Sequence, residues 1–260
     1  MANNSLKAPR RFATGDLLKV VAAMLMVQAS VGASLIEHTM LSLDTIDSSR
    51  AEALLDSGGG LAVGLAFLFR IWANVAWPIY AFLGVQGFLY TRSTKGYLIR
   101  VAIFALVSEI PYDLAMSGQW FNWADQNGML SLLIGLVGLT LSEELSRRSK
   151  SYMPRVAMLV GCTLWAWLLR TQFGYFVVPA MFAFFYLEER EMLRSLVVVA
   201  LGLLVVPSSG LMALTVIIPA ALACLLLHWY NDRPPIINKW VWYGLYPLHL
   251  LILGIVALVK

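Results

Sequence analysis

Long apolar runs separated by short polar segments divide almost the whole chain, and they limit the possible folds more than any other feature. The hydrocarbon core of a bilayer is about 30 Å thick, and a helix needs about 20 mainly apolar residues to cross it. The sequence therefore predicts nine spans, with eight to ten as the range: Leu17–Ile36, Leu61–Tyr90, Tyr97–Met116, Met129–Leu141, Val156–Leu169, Phe173–Leu187, Met192–Val206, Leu211–Tyr230 and Trp240–Val259. The second run is long enough to hold a short half-helix, Leu61–Phe69, before a span that contains Pro78. We predict an all-α, polytopic transmembrane bundle.

The composition excludes the soluble classes of protein. Hydrophobic residues make up 60% of the 260 residues and charged residues 13%, against about 45–50% and about 25% in soluble domains. A soluble enzyme, a disordered chain and a nucleic-acid-binding protein are excluded, because the polar surface cannot cover a soluble globule. The predicted partner is the lipid bilayer, and not nucleic acid. Cys162 and Cys224 both lie in apolar runs without metal-binding spacing, so we predict no metal site.

The positions of the basic residues predict the orientation of the spans. Positively charged loops remain in the cytoplasm. If the N-terminus is cytoplasmic, all of the 19 Lys and Arg residues fall on that side except Arg50, Arg70, Arg170 and Lys260. We predict a short cytoplasmic tail over residues 1–15 and a single transmembrane domain over 16–260, with the C-terminus outside if there are nine spans. The alternative is that the first span is a signal peptide cleaved near Val31-Gly32-Ala33.

Ionisable residues inside the predicted spans are candidates for function, because such residues usually face the bundle interior or an aqueous cavity. Arg70 and Glu109 lie at similar depths in adjacent spans, so either they form an ion pair or Arg70 extends to the outer interface. Glu109 precedes Pro111, which frees a carbonyl of the preceding turn. The carboxylate is either a general base or a structural partner of Arg70. His249, alone on an apolar helix, is either a catalyst or a satisfied bundle residue.

Several segments, taken in order, resemble the TraX family of membrane proteins. They are Asp16–Val27, Ala76–Phe82, Gly87–Arg92, Tyr97–Arg100, Ser108–Asp113, Gln126-Asn127 and Tyr246–Leu250. The resemblance is good over about Asp16–Leu139, poor through the middle of the chain, and good again in the last span.

The resemblance implies a multi-pass membrane acetyltransferase in the cytoplasmic (inner) membrane of a bacterium. The best-known members of the family acetylate the N-terminus of conjugative pilin with acetyl-CoA as the donor, and related transmembrane acyltransferases modify sugars. A pilin or another envelope component is therefore the expected acceptor. A histidine oriented by an acidic group would deprotonate the acceptor, and basic residues at the cytoplasmic mouth would bind the coenzyme A phosphates.

The residues expected to form the site follow from this resemblance. The expected catalytic residues are Ser30, Glu109 and His249, and the expected substrate-binding residues are Asn74, Tyr80, Asn127, Lys19, Arg92 and Arg100. The three basic residues are equally well explained by the ordinary positive-inside bias.

This chain departs from the family pattern at its charged positions. Ala29-Ser30 stands where the family has an Asp-His pair, Ala73-Asn74 where it has Gly-Arg, and Gln86 where many members have Glu. The chain is therefore a non-catalytic relative, an engineered variant, or a member in which the chemistry has moved to other residues. Besides an acyltransferase, the sequence leaves open a non-catalytic membrane partner or scaffold, and a small-solute transporter.

Overall fold

The computed structural model describes residues 13–35, 56, 58, 60–148, 151–203, 210–231 and 236–259, with the backbone alone at 62, 63, 66, 67, 70, 203 and 210–215. Within these residues the chain forms nine α-helices: α1 (Gly15–Val31), α2 (Gly60–Tyr90), α3 (Thr94–Ser117), α4 (Gly128–Arg148), α5 (Met153–Leu168), α6 (Gly174–Tyr186), α7 (Glu191–Leu203), α8 (Gly210–His228) and α9 (Lys239–Val259). Most of the predicted tail lies outside the described residues.

The helices confirm the predicted helical membrane bundle and correct two details. The apolar run from Leu61 to Tyr90 forms one continuous helix through Pro78, so the predicted half-helix is wrong. Helix α4 continues past Leu141 to Arg148, because the polar residues at its end still have good helix propensity. Three helical stretches, Gly15–Leu35, Gly128–Arg148 and Lys239–Val259, are long and apolar enough to cross a membrane.

Local signals account for several helix ends. The Thr14 hydroxyl accepts a hydrogen bond from the Leu17 N–H at 3.1 Å and starts α1, as Ser93 does for α3 through the Gly96 N–H. Helix α3 ends at Gly118, whose φ of 67° is readily adopted only without a Cβ. A wider π-helical turn follows α1 and continues the rod to Leu35. Such turns occur often at functional sites.

Helix α2 lies at the centre of the bundle. It packs extensively against α1, α6 and α8, while α9 packs along α3 and α4 joins α3 to α5 and α6. Trp77, Ile79, Phe82 and Val85 are buried along α2 and form much of the apolar core. The pair α1–α2 is therefore well packed, as is the pair α3–α9. By contrast, α1 and α9 contact each other only sparsely, as do α2 and α3.

One end of the bundle, called the basic end below, holds the start of α1, the end of α8 and the start of α9. The Ala13 N–H donates to the Trp229 carbonyl at 2.9 Å, and the Asn231 N–H donates to the Ala13 carbonyl at 3.0 Å. The Asp16 carboxylate accepts from the Ile237 N–H at 3.0 Å. This end also holds Lys19 and Lys239.

Replacing Gly254 with alanine is expected to lower the free energy of unfolding by about 1–3 kcal/mol, the usual cost of overpacking a core. An added Cβ would lie 2.9 Å from both Cγ and Cδ2 of Leu114 and would push α9 away from α3. Thermal unfolding of the purified protein in detergent measures the change. Gly244→Ala is the control on the same helix, because its Cβ would meet no atom within 4 Å. Equal effects of the two variants would contradict the packing argument.

Candidate functional site

A serine and a histidine from opposite ends of the sequence meet inside the bundle. Ser30 lies near the end of α1 and His249 in the middle of α9, and their exposed fractions are 8% and 7%. The Ser30 Oγ lies 3.3 Å from the His249 Nε2. Ser30 therefore faces the interior and not lipid, and the two predicted catalytic residues are in direct contact.

The second ring nitrogen of His249 determines what the first can do. His249 Nδ1 lies 3.0 Å from the Leu245 carbonyl oxygen, one turn earlier on α9. A carbonyl can only accept, so Nδ1 carries the proton and Nε2 presents a lone pair to the Ser30 hydroxyl. This arrangement orients the imidazole and lets Nε2 accept the serine proton.

Tyr246 connects this pair to the start of α4. Its ring lies 5.7 Å from the His249 ring, measured between centroids, in an edge-on arrangement. Its hydroxyl oxygen accepts a hydrogen bond from the Gly128 N–H at 3.1 Å. Tyr246 was missed as a site residue in the sequence, although its position three residues before His249 places both side chains on one helix face.

Asn127 joins α3 to α4 through both atoms of its amide group. Its Oδ1 accepts from the Met129 N–H at 2.9 Å and from the Leu130 N–H at 3.3 Å, so Asn127 caps α4. Its Nδ2 donates to the Ala105 carbonyl at 2.8 Å and to Glu109 Oε2. Asn127 is fully buried. It positions Glu109 relative to the start of α4.

The segment between α3 and α4 folds back along α3 towards the middle of the bundle. Asn127 lies beside Ala105, whereas about 18 Å of helix separates Ala105 from Ser117 at a rise of 1.5 Å per residue. The Asn122 N–H donates to Asp113 Oδ2 at 2.9 Å and anchors the returning segment. Helix α4 therefore starts nearer the middle of the bundle than the end of α3 does. This explains why the apolar run of α4 is short.

The segment between α5 and α6 supports this returning chain through main-chain hydrogen bonds. The Gln126 N–H donates to the Arg170 carbonyl at 3.1 Å, and the Gln172 N–H donates to the Gln126 carbonyl at 2.8 Å. The Ser131 hydroxyl donates to the Gln172 carbonyl at 2.6 Å. Nothing in the sequence identified the residues near 170 as neighbours of Asn127, because the pairing is between main-chain groups.

Two carboxylates lie one turn apart on α3 beside Asn127. The remaining oxygens, Glu109 Oε1 and Asp113 Oδ1, are buried and have no hydrogen-bond partner among the described residues. Asp113 is only 2% exposed. The Arg70 side chain, predicted as a partner of Glu109 in an ion pair, lies outside the described residues. Both carboxylates lie in the second half of α3, towards its end at Ser117.

The remaining predicted residues fall into two places. The Tyr80 hydroxyl donates to the Met26 sulfur at 3.3 Å, one turn before Ser30 on α1. Asn74 is half-buried on α2, about 9 Å from Tyr80 along the helix. The three basic residues, Lys19, Arg92 and Arg100, lie at or near the basic end and are not in contact with the Ser30–His249 pair.

The comparisons with known proteins identify one family. Residues 14–257 match the family described as TraX protein. No curated protein and no solved structure matches the chain. Because the family match covers nearly the whole chain, from the start of α1 almost to the end of α9, the protein belongs to the TraX family.

Proposed function

We propose that this protein is an acyltransferase of the inner membrane of a bacterium. In this proposal it transfers the acetyl group of acetyl-CoA to an amine of an envelope protein such as a pilin, or to a sugar hydroxyl. The observation that carries the proposal is the buried contact between Ser30 and His249 at 3.3 Å. A hydroxyl beside an oriented imidazole is the arrangement that acyl transfer needs, because a proton must leave the attacking group as the new bond forms.

The donor is proposed to enter from the basic end, which would be cytoplasmic. Lys19 lies about 16 Å from Ser30 along α1, and Lys239 lies about 15 Å from His249 along α9, at 1.5 Å per residue. The pantetheine arm of coenzyme A would bridge this distance while basic residues bind its phosphates. The sparse contact between α1 and α9 and between α2 and α3 supports this path, because admitting the arm there disturbs little packing.

Arg100 is the basic residue best prepared to bind a phosphate. Its guanidinium lies 6.0 Å from the Tyr97 ring centre, and its Nε is buried without a hydrogen-bond partner within the described part of the chain. The Arg100 side chain also hydrogen-bonds the Tyr243 side chain, so the unpaired Nε is the donor that it offers to a phosphate. The Lys19 ammonium, in contrast, lies 3.7 Å from the Asp16 carboxylate. Arg92 is exposed in the turn before α3. Arginine is well suited to phosphate because its planar group donates several hydrogen bonds.

The acceptor is proposed to enter from the other side of the site, next to Glu109 and Asp113. Both carboxylates have an oxygen without a partner among the described residues, so a protonated amine or a hydroxyl would supply the missing donor. A series of contacts from Glu109 through Asn127 and Gly128 to Tyr246 and His249 holds this subsite at a set position relative to the proposed base.

Replacing Arg100 with glutamine is expected to weaken acetyl-CoA binding about tenfold, since a hydrogen bond to a charged group contributes about 1.5 kcal/mol at the low end of its range. Titration calorimetry on the purified protein in detergent measures the dissociation constant. The difference from the wild type should shrink as salt is added. Arg148→Gln is the matched control, because Arg148 is 75% exposed and bonded to Glu144 at 2.7 Å.

The proposed function also predicts acetyl transfer by the wild type, measured with labelled acetyl-CoA and two acceptors, a peptide with a free N-terminus and a sugar. Transfer to either acceptor supports an acyltransferase and identifies the acceptor class. Absence of both acetyl-CoA binding and transfer would contradict the proposal and leave a membrane partner, a scaffold or a transporter.

A further inference from the structure

We propose that Ser30 is acylated during the reaction, so that transfer proceeds in two steps through an ester on the Ser30 hydroxyl. This inference rests on the proposed function and names the residue that holds the acyl group. Ser30 is buried on α1, and its hydroxyl contacts Nε2 of His249 on another helix. The neighbouring residue, Ala29, supplies no acidic or basic group that could take part instead.

The Ser30 hydroxyl differs from the other serine and threonine hydroxyls of the described helices in the kind of partner that it has. Ser131 donates to the Gln172 carbonyl and Ser142 contacts the Tyr186 hydroxyl. Buried hydroxyls in helices often donate to the carbonyl four residues earlier. Within the described helices, the hydroxyls that do so are those of Ser108, Ser117, Thr140 and Thr163, at 2.6–2.8 Å. The Ser30 hydroxyl instead meets an imidazole on another helix. A proton acceptor is therefore placed beside this hydroxyl and not beside the other four.

The orientation of His249 matches what a nucleophilic serine needs. Nδ1 is held by the Leu245 carbonyl at 3.0 Å, which leaves Nε2 as the acceptor towards Ser30. An activated nucleophile is recognised by a hydrogen bond to a base that a third group orients in turn. Here the third group is a main-chain carbonyl, which orients the ring without adding a second buried charge.

The first step transfers the acyl group to the protein. The Ser30 Oγ attacks the carbonyl carbon of the thioester while Nε2 of His249 takes the hydroxyl proton. The carbon–sulfur bond then breaks, and the leaving thiolate takes the proton from the imidazolium. The products are free coenzyme A and an ester on Ser30.

The second step transfers the acyl group to the acceptor. An amine that binds in its protonated form first gives one proton to the Glu109 carboxylate, which later releases it to solvent. The neutral amine, or the hydroxyl, then attacks the ester carbonyl, and Nε2 of His249 takes the proton that the acceptor loses as the new bond forms. As the ester carbon–oxygen bond breaks, the imidazolium returns this proton to the Ser30 Oγ. Because the donor has already left, donor and acceptor can reach the buried pair from opposite sides without being bound together.

The test is to incubate the purified full-length protein in detergent with acetyl-CoA and no acceptor, quench it in acid, and map the acetylated peptide by mass spectrometry. We expect one acetyl group on Ser30, removed by hydroxylamine, and a burst of coenzyme A that equals the amount of protein. Ser30→Ala should lose both the label and the burst. Ser30→Cys should carry a thioester label, and Ser117→Ala should behave like the wild type because its hydroxyl bonds within its own helix.

The outcomes separate this inference from the proposed function. Three results would each overturn the ester on Ser30 while leaving an acyltransferase. They are acetyl transfer by Ser30→Ala at the wild-type rate, an acetyl label on another residue, and acetyl transfer by the wild type without any acylated protein. A wild-type protein that neither binds acetyl-CoA nor transfers its acetyl group would overturn the proposed function, and the inference with it.

Discussion

Replacing His249 with glutamine is expected to lower the kcat of acetyl transfer by about 10²–10⁴-fold, the usual contribution of a positioned general base. Glutamine can still hydrogen-bond to the Ser30 hydroxyl, 3.3 Å from the ring in the wild type, but an amide cannot take up its proton. Because the contact between α1 and α9 is retained, the affinity for acetyl-CoA should stay within about twofold of the wild type. Initial rates with labelled acetyl-CoA, together with calorimetric binding, measure the two effects separately.

His228→Gln is the matched control for this prediction. His228 lies at the end of α8, is 47% exposed at its side chain, and bonds Glu191 at 2.8 Å. This contact joins α7 to α8 at the basic end and involves neither α1 nor α9. We expect no change in kcat for this variant. Equal losses in both variants would point to instability, and full activity in His249→Gln would remove His249 from the mechanism.

The sequence was sufficient for the fold because membrane spans depend on one property that is local in the chain. Every predicted span corresponds to an observed helix with bounds that differ by a few residues at most ends. Helix α4 is the main exception, since the prediction stopped at Leu141 where the apolar residues end. A helix can leave the bilayer without unwinding, so apolar length and helix length are different quantities.

The site could be predicted only in part, because its contacts join distant segments. The resemblance to the family pointed to Ser30, Glu109, Asn127 and His249, and hydrogen bonds and ring contacts now connect these four through Tyr246 and Gly128. The fold-back that carries Asn127 to Ala105 was not predicted. It depends on main-chain bonds to Arg170 and Gln172, which have no signature in the side chains.

This chain lacks charged residues that the family resemblance leads us to expect, and their absence limits the chemistry available at the site. Where the resemblance leads us to expect an Asp-His pair and an arginine, this chain has Ala29-Ser30 and Asn74. Ser30 contacts the histidine of the last helix instead. We propose that the chemistry has moved to the Ser30–His249 pair, with the ester on Ser30 as its specific form.

Replacing Glu109 with glutamine is expected to lower kcat/KM for an amine acceptor by about 10–100-fold, which corresponds to about 1.5–3 kcal/mol for a hydrogen bond to a charged group. The amide oxygen of glutamine can still accept from Asn127, as Glu109 Oε2 does. The cap of α4 should survive, while the negative charge that would attract a protonated amine is lost. Acetyl-CoA binding should not change, because the donor is proposed to enter from the basic end.

The Glu109→Gln variant should lose activity without losing thermal stability. Burying a charged carboxylate inside a membrane bundle is destabilising, because the charge loses its hydration. Glu109 Oε1 has no hydrogen-bond partner in the described residues that would compensate for this loss. Glu109→Gln should therefore unfold at the same temperature as the wild type or higher. Glu144→Gln is the matched control, since Glu144 is on the exposed end of α4 and bonds Arg148; neither its activity nor its acceptor preference should change. A Glu109→Gln protein that loses activity and stability together would show that Glu109 supports the fold and does not bind the acceptor.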